Sequence, residues 1–282
     1  MPEGPEAKIV AESLHAHIAG KSIVGFHIPE PLRFINGLEN IPFPMKVMSI
    51  VANTKKVIFT LENKGMIVSS LGMTGRWSYE EQKWTRLKLL IGTIRKDIVD
   101  KHGNPIIATI IDEIVYYSDM SMKGMDLAYY IATDVPKYMK TLGPDILSTT
   151  VSESVWSGIF SDRKVLEWEV CKLLVDPHKI GGIGNYLRAE ILYYCKISPK
   201  RKVKDLSREE IELLRQWSHY IIRESYKAGG LTIKDFWSPE GKRGSFKNVV
   251  YNQSHDPHGN KVEKYKRIRS ERNCSWVPAV QC

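Results

Sequence analysis

The hydrophobic period of this chain changes near its middle, and no other property of the sequence limits the possible folds as much. From Ile23 to about Ile131 apolar residues come in short β-branched runs, Lys46–Val51, Val57–Leu61, Met66–Ser70 and Glu113–Tyr117, with Asn63-Lys64-Gly65 reading as a hairpin turn. After Leu142-Gly143-Pro144-Asp145 the period becomes helical. The clearest helix opens on a capping box, Ser207-Arg208-Glu209-Glu210, carries Ile211, Leu214, Trp217 and Ile221 on one face, and stops at Gly229-Gly230. A β half followed by a helical half is an α+β chain, with the β half expected to be a sandwich.

Both ends add to this plan. Residues 5–18 read as a helix with Pro5 in its first turn, Ile9, Val10, Leu14 and Ile18 at helical spacing, and Gly20 as its stop. The last stretch returns to strand-like segments, Asn248–Tyr251 and Lys261–Ile268, about a turn at His258-Gly259-Asn260. No apolar run has the roughly 18 residues of a membrane span, and the charged first twenty residues do not form a secretory signal, so an intracellular protein is expected. Cys171, Cys195, Cys274 and Cys282 nowhere form Cys-x-x-Cys and are read as reduced thiols. Formal net charge is +9, and from Gly241 to Cys282 nine bases face three acids. A second cluster, Lys196, Lys200, Arg201, Lys202 and Lys204, lies in a loop containing Pro199. Such clustering suits a phosphate-bearing partner, although a solubilising surface would also be basic.

Two segments could carry chemistry. In Met1-Pro2-Glu3-Gly4-Pro5-Glu6 the small second residue permits removal of the initiator methionine, leaving a secondary amine that can attack an aldehyde carbon. An α-amino group has a pKa of roughly 8, so a useful fraction is neutral at pH 7. Glu3 and Glu6 flank it at the positive end of a helix, where one could act as general acid/base; the same residues also make an ordinary acidic helix start. The second segment, Gly181-Gly182-Ile183-Gly184-Asn185-Tyr186, leads into an expected helix over Tyr186–Lys196. Its glycines would let backbone amides approach an anion, with Asn185 capping the helix or donating to phosphate; a plain turn between packed helices is the alternative.

Taken in order, Met1-Pro-Glu-Gly-Pro-Glu6, Ser70-Leu-Gly-Met-Thr-Gly75, Leu142-Gly-Pro-Asp145, Gly182-Ile-Gly-Asn-Tyr-Leu-Arg-Ala-Glu-Ile-Leu192 and Gly229-Gly-Leu-Thr-Ile-Lys-Asp-Phe236 closely resemble the formamidopyrimidine-DNA glycosylase/endonuclease VIII family, along nearly the whole chain. Glu-Gly-Pro-Glu and Asn-Tyr-Leu-Arg-Ala-Glu look more like its endonuclease VIII-like branch. The resemblance implies a two-layer β-sandwich (1–131), a linker (132–141), a helix-two-turns-helix DNA-binding domain (142–245) and a β-hairpin finger (246–282), with DNA in the cleft between the halves. It implies a bifunctional DNA glycosylase and AP lyase acting on oxidised bases, mainly pyrimidines and hydantoins, by β,δ-elimination and without a cofactor. Pro2 resembles the nucleophile, Glu3 the general acid/base and Lys56 a phosphate-contacting lysine that assists catalysis, with Lys55 as its rival. Glu6, Met73 as a wedge, Asn185, Lys247 and Arg272 at the finger tip are the expected DNA-binding residues. The expected partner is DNA with oxidised bases or abasic sites, single-stranded or bubble forms included, bound by a monomer in the nucleus, the cytoplasm or nucleoid, or a viral replication compartment. A nucleic-acid-binding protein without catalysis, in which Met1 is retained, is the rival reading. A plain AP endonuclease would need a carboxylate cluster for metal that the sequence does not offer.

Three departures from the family pattern stand out. Most members hold zinc in the finger with two cysteine pairs; here Val277 and Val280 stand at the second pair, so no metal and a zincless finger are expected, and His255 with His258 make a poor substitute. The loop Asp119-Met120-Ser121-Met122-Lys123-Gly124 lacks the arginine and aromatic that fill the space of an extruded base, which favours unpaired substrates. Cys171 stands where many members have lysine, with Lys172 adjacent.

Overall fold

The computed structural model describes residues 2–29, 35–120, 126–131, 137–232, 236–266 and 273–282. By internal contacts the chain divides into two units: the first holds Met1–Pro2, Glu6–Pro136 and Ile233–Arg243, the second Glu3–Pro5, Lys137–Thr232 and Gly244–Cys282.

The first unit contains most of helix α1 (Gly4–Ile18) and strands β1 (Ser22–His27), β2 (Ile35–Asn36), β3 (Met45–Asn53), β4 (Lys56–Leu61), β5 (Gly65–Ser70), β6 (Arg76–Ser78), β7 (Thr85–Val99), β8 (Pro105–Ser118) and β9 (Asp126–Ile131). Their order is β2-β9-β5-β4-β3-β1-β7-β8-β6. β1 and β3 share just two register pairs, Ser22 with Lys46 and Ile23 with Met45, so the sheet folds there into two layers. Alternation in β3 and β7 sends one face inward: Val47, Phe59 and Ile67 from one layer, Leu87, Leu89 and Val115 from the other, and Val10, Leu14 and Ile18 from α1 form one buried core. Phe59 meets Trp77 at 5.2 Å between ring centroids and Trp77 meets Tyr117 at 5.1 Å; such pairs add about 0.5–1.5 kcal/mol each beyond area burial. The expected β4–β5 turn is present, with one correction: the left-handed residues are Asn63 and Lys64 at φ 53° and 64°, while Gly65 at φ −69° begins the strand.

The second unit contains α2 (Lys137–Lys140), α3 (Glu153–Phe160), α4 (Val170–Leu173), α5 (Asn185–Tyr194), α6 (Arg208–Lys227) and the short hairpin β10 (Glu263–Tyr265) with β11 (Cys274–Trp276). The capping box at Ser207 forms with both of its hydrogen bonds. α5 ends two residues earlier than expected: Lys196 takes φ 56° and Ile197 N–H closes back on the Leu192 carbonyl at 3.0 Å. Asn248–Tyr251 is not a strand. Its amides bond a buried carboxylate, as described below, instead of a neighbouring strand. No helix among the described residues is long and apolar enough to cross a membrane.

Candidate DNA-processing site

Glu3 is 1% exposed, and its carboxylate is the acceptor at the start of α5. Gly184 N–H donates to Oε2 at 2.6 Å, Tyr186 N–H to Oε1 at 3.0 Å and Leu187 N–H to Oε2 at 3.4 Å. These are orphan donors of a helix N-terminus, and an anion there also meets the favourable end of the helix dipole. The glycine-rich turn therefore does hold an anion, but a carboxylate of the same chain in place of a ligand phosphate. Glycine is required at 184, since a Cβ there would lie 2.2 Å from the Glu3 Cδ. Next along the chain, Gly4 N–H donates to the Gly182 carbonyl at 2.9 Å. Pro2, itself buried, thus precedes a residue tied down through both side chain and backbone.

Of the two roles open to Asn185, capping α5 is not the one it takes: Gly184 is the N-cap and Asn185 the first helical residue. Its half-buried side chain accepts at Oδ1 from Arg188 Nη2 at 3.3 Å, which turns the amide nitrogen, a double donor, away from Arg188. Arg188 also donates to the carbonyls of Cys171 and Asn273, at 3.2 and 3.1 Å, and so joins α4, α5 and the start of β11. Two further residues of α5 hold the finger. The fully buried Glu190 accepts from Val249, Val250 and Tyr251 N–H at 2.8, 3.0 and 2.8 Å, and burial pushes its carboxyl upward while the three amides pull it down. Tyr193 O–H donates to Asp256 at 3.1 Å, and Asp256 in turn accepts from the backbone of His258 and Asn260. Val277 is fully buried beside Ala189, Tyr193 and Val250. An aliphatic cluster occupies the finger base, Cys274 is buried, and among the described residues no three His, Cys, Asp or Glu side chains come together.

In the first unit Lys56 starts β4 opposite Ser70 of β5, and its ammonium donates to the Ser70 hydroxyl. Ser70 leads into the turn carrying Met73, which is half-exposed. That turn is rigid: Gly75 N–H closes on the Leu71 carbonyl at 2.7 Å, Tyr117 O–H donates to the Ser70 carbonyl at 3.1 Å, and a Cβ at Gly75 would meet the Tyr117 hydroxyl at 2.0 Å. Glu6 is fully buried in the first turn of α1. Lys247 is exposed on the second unit beside a cavity of about 480 Å³ lined by Tyr194, Trp217 and Tyr220. Arg272, Met122 and Lys123 lie outside the described residues.

The structure thus groups Glu3 with Asn185, and Lys56 with the Met73 turn. Arg188, Glu190 and Asp256 were not singled out from sequence; the available signal was a pair of charges inside the apolar run Leu187–Leu192. The basic loop at Lys196–Lys204 is less available to phosphate than its composition suggests. Lys202 and Lys204 pair with Glu167, whose carboxyl they pull down to about 2, and Arg201 pairs with Glu210.

Three family models match in order: formamidopyrimidine-DNA glycosylase N-terminal domain at residues 1–103, its H2TH domain at 142–236 and its C-terminal domain at 240–282. The formamidopyrimidine-DNA glycosylases of Pasteurella multocida and Desulfitobacterium hafniense are each 26% identical over 289 aligned residues, covering all of this chain and 99% and 100% of theirs. Among solved structures, the MutM (Fpg) protein of Thermus thermophilus shares the fold with a TM-score of 0.80 at 23% identity, over 99% of this chain and 98% of that one. The Lactococcus lactis Fpg in complex with abasic-site DNA does so with 0.79 at 19% identity, over 99% of both.

Proposed function

The chain belongs to the formamidopyrimidine-DNA glycosylase family and is a DNA glycosylase, and from that premise we propose that it excises oxidised bases, mainly pyrimidines and hydantoins, and then cleaves the abasic site. Once Met1 is removed, the Pro2 amine attacks sugar C1′, the C1′–base bond breaks, and the departing base takes a proton from water. Glu3 takes the proton that the Pro2 nitrogen sheds on attack and passes it to the ring oxygen as the C1′–O4′ bond opens, giving an iminium ion between Pro2 and C1′. Loss of the C2′ proton expels the 3′ phosphate, a second elimination expels the 5′ phosphate, and water releases the amine. Lys56, Asn185, Lys247 and Arg272 hold backbone phosphates, Glu6 lies in the first turn of α1, four residues along the chain from the nucleophile, and Met73 enters the vacated stack. No cofactor enters the sequence.

The observation that carries this reading is the anchorage beside Pro2: the Glu3 carboxylate on three amides, and Gly4 N–H on Gly182. A nucleophile at a chain terminus otherwise loses its positioning advantage to fraying. We further propose the endonuclease VIII-like branch, from the Glu-Gly-Pro-Glu and Asn-Tyr-Leu-Arg-Ala-Glu motifs, and a finger held by apolar packing, from the burial of Val277.

The test is borohydride trapping on an abasic-site oligonucleotide, with intact-mass measurement of the N-terminus. Pro2 should carry the crosslink, and Glu3→Gln should impair excision more than cleavage at a preformed abasic site. A crosslink on an internal lysine, or no crosslink from protein lacking Met1, would overturn the assignment. With Met73 as wedge, single-turnover rates on single-stranded or bubble substrates should match or exceed those on duplex; a strong duplex preference with opposite-base dependence would refute that part alone.

A further inference from the structure

The segment Asp119–Gly124 has neither an arginine nor an aromatic residue, and the fold brings one of each to its first residue from the start of β7. Asp119 N–H donates to the Trp84 carbonyl at 3.0 Å, and Arg86 Nε donates to the Asp119 carbonyl at 3.1 Å. The Asp119 carboxylate accepts in addition from the hydroxyl of Thr74, the residue after Met73. Just before Asp119, Ser118 of β8 pairs with Arg76 of β6 on one side and with Thr85 of β7 on the other. Asp119 is 1% exposed, so its hydrogen bonds form out of water and join the Met73 turn, the start of β7 and the end of β8 into one body within the first unit.

Three large apolar side chains of this body stand in water: Met73 is 50%, Trp84 42% and Met120 58% exposed. A single exposed tryptophan is ordinary. Trp84 differs in its setting, because its backbone is fixed by Asp119 and two cations lie over its ring, Lys83 Nζ at 5.1 Å and Arg86 Cζ at 5.7 Å from the centroid. The acids nearest in sequence and in space are engaged elsewhere: Glu81 pairs with Lys88 at 2.7 Å, Glu80 interacts with Arg76, and Asp119 is buried on Thr74. An indole bordered by positive charge, on the body that carries the wedge, has the chemistry to hold an unpaired base and its phosphate.

We propose that Trp84 is a further DNA-binding residue, whose indole stacks on the base left without a partner when the damaged base is extruded. Lys83, on a flexible stem, leaves the ring for the adjoining phosphate, and Arg86 is a positioning residue that holds the indole against the Asp119 backbone. The inference rests on the glycosylase reading and adds to it a contact with the strand opposite the lesion. Stacking engages the π-face that every base has, so it strengthens binding without selecting the opposite base. Selection by hydrogen bonds to a base edge would need a free guanidinium fork, and Arg86 Nε is committed to the Asp119 carbonyl.

The test places 2-aminopurine, whose fluorescence falls when it stacks, opposite a tetrahydrofuran abasic analogue in duplex DNA and titrates it with the full chain. The probe should be quenched on wild type and brighter on Trp84→Leu, whose Kd should be about tenfold higher with each of the four natural bases at that position. Trp84→Tyr should restore most of both, and Lys83→Gln should lower the salt slope of binding by about one unit. Borohydride trapping at Pro2 is scored separately: a wild type that binds and quenches but forms no crosslink refutes the catalytic reading and leaves this contact standing. Trp84→Leu with wild-type affinity and quenching overturns the proposal. So does an equal loss on fully paired, undamaged duplex, which would make Trp84 a general contact, or a loss that Trp84→Tyr does not restore, which would make its role structural.

Discussion

Replacing Glu190 by glutamine tests how the finger is attached to α5. In the wild type two carboxylate oxygens accept three backbone amides, with Oε1 taking Val250 and Tyr251 and Oε2 taking Val249. Glutamine keeps one oxygen, so at least one amide then faces an NH₂ group. Loss of a hydrogen bond to a charged group costs about 1.5–3 kcal/mol, and a stranded buried donor costs about 1–3 kcal/mol more. Against this, the substitution relieves the desolvation that pushes the Glu190 carboxyl upward. The net expectation is a loss of about 2–4 kcal/mol, or a melting temperature lower by roughly 6–12 °C for a unit of this size. Calorimetry gives the loss, and hydrogen exchange gives its location: protection should fall first at the amides of 249–251, with Glu224→Gln on the exposed face of α6 as a neutral control. A Glu190→Gln protein within about 0.5 kcal/mol of wild type, with those amides still protected, would refute the reasoning.

Gly184→Ala should displace the Glu3 carboxylate, because the new Cβ would lie 2.2 Å from Glu3 Cδ; excision should drop as far as in Glu3→Ala, and the double variant should be no worse than either, measured by single-turnover assay. His219, with Nδ1 on the Ile146 carbonyl and Nε2 accepting from Val151 N–H, is held neutral, since burial pushes its pKa below the ordinary value and the Arg223 and Arg215 cations add to this. The unfolded chain therefore binds the proton more readily. The stability His219 contributes is complete above pH of about 6.5 and is lost as pH falls toward its lowered folded value, at no more than about 1.4 kcal/mol per pH unit, and His219→Gln should flatten that part of a urea-denaturation pH profile. Val277→Ala should cost about 2 kcal/mol and weaken DNA binding, whereas chelators should leave both unchanged in the wild type and elemental analysis should find less than one zinc per chain.

Local rules read from the chain were enough to place most elements: the period-2 runs became β3, β4 and β5, the capping box opened α6, and Gly229-Gly230 followed its end, because each depends on neighbours a few residues away. The ordered motifs likewise located the family, since they mark backbone that must turn or approach closely, as at Gly75 and Gly184. Tertiary structure decided how those pieces use their polar groups. Asn248–Tyr251 has the composition of a strand, yet Glu190, about sixty residues away in sequence, supplies the acceptors that a second strand would have supplied. The glycine turn before α5 looks like a phosphate cradle, yet Glu3, at the far end of the chain, reaches its amides first. Neither pairing leaves a local signature, because a buried N–H needs an acceptor within about 3 Å and sequence does not say which distant residue brings one.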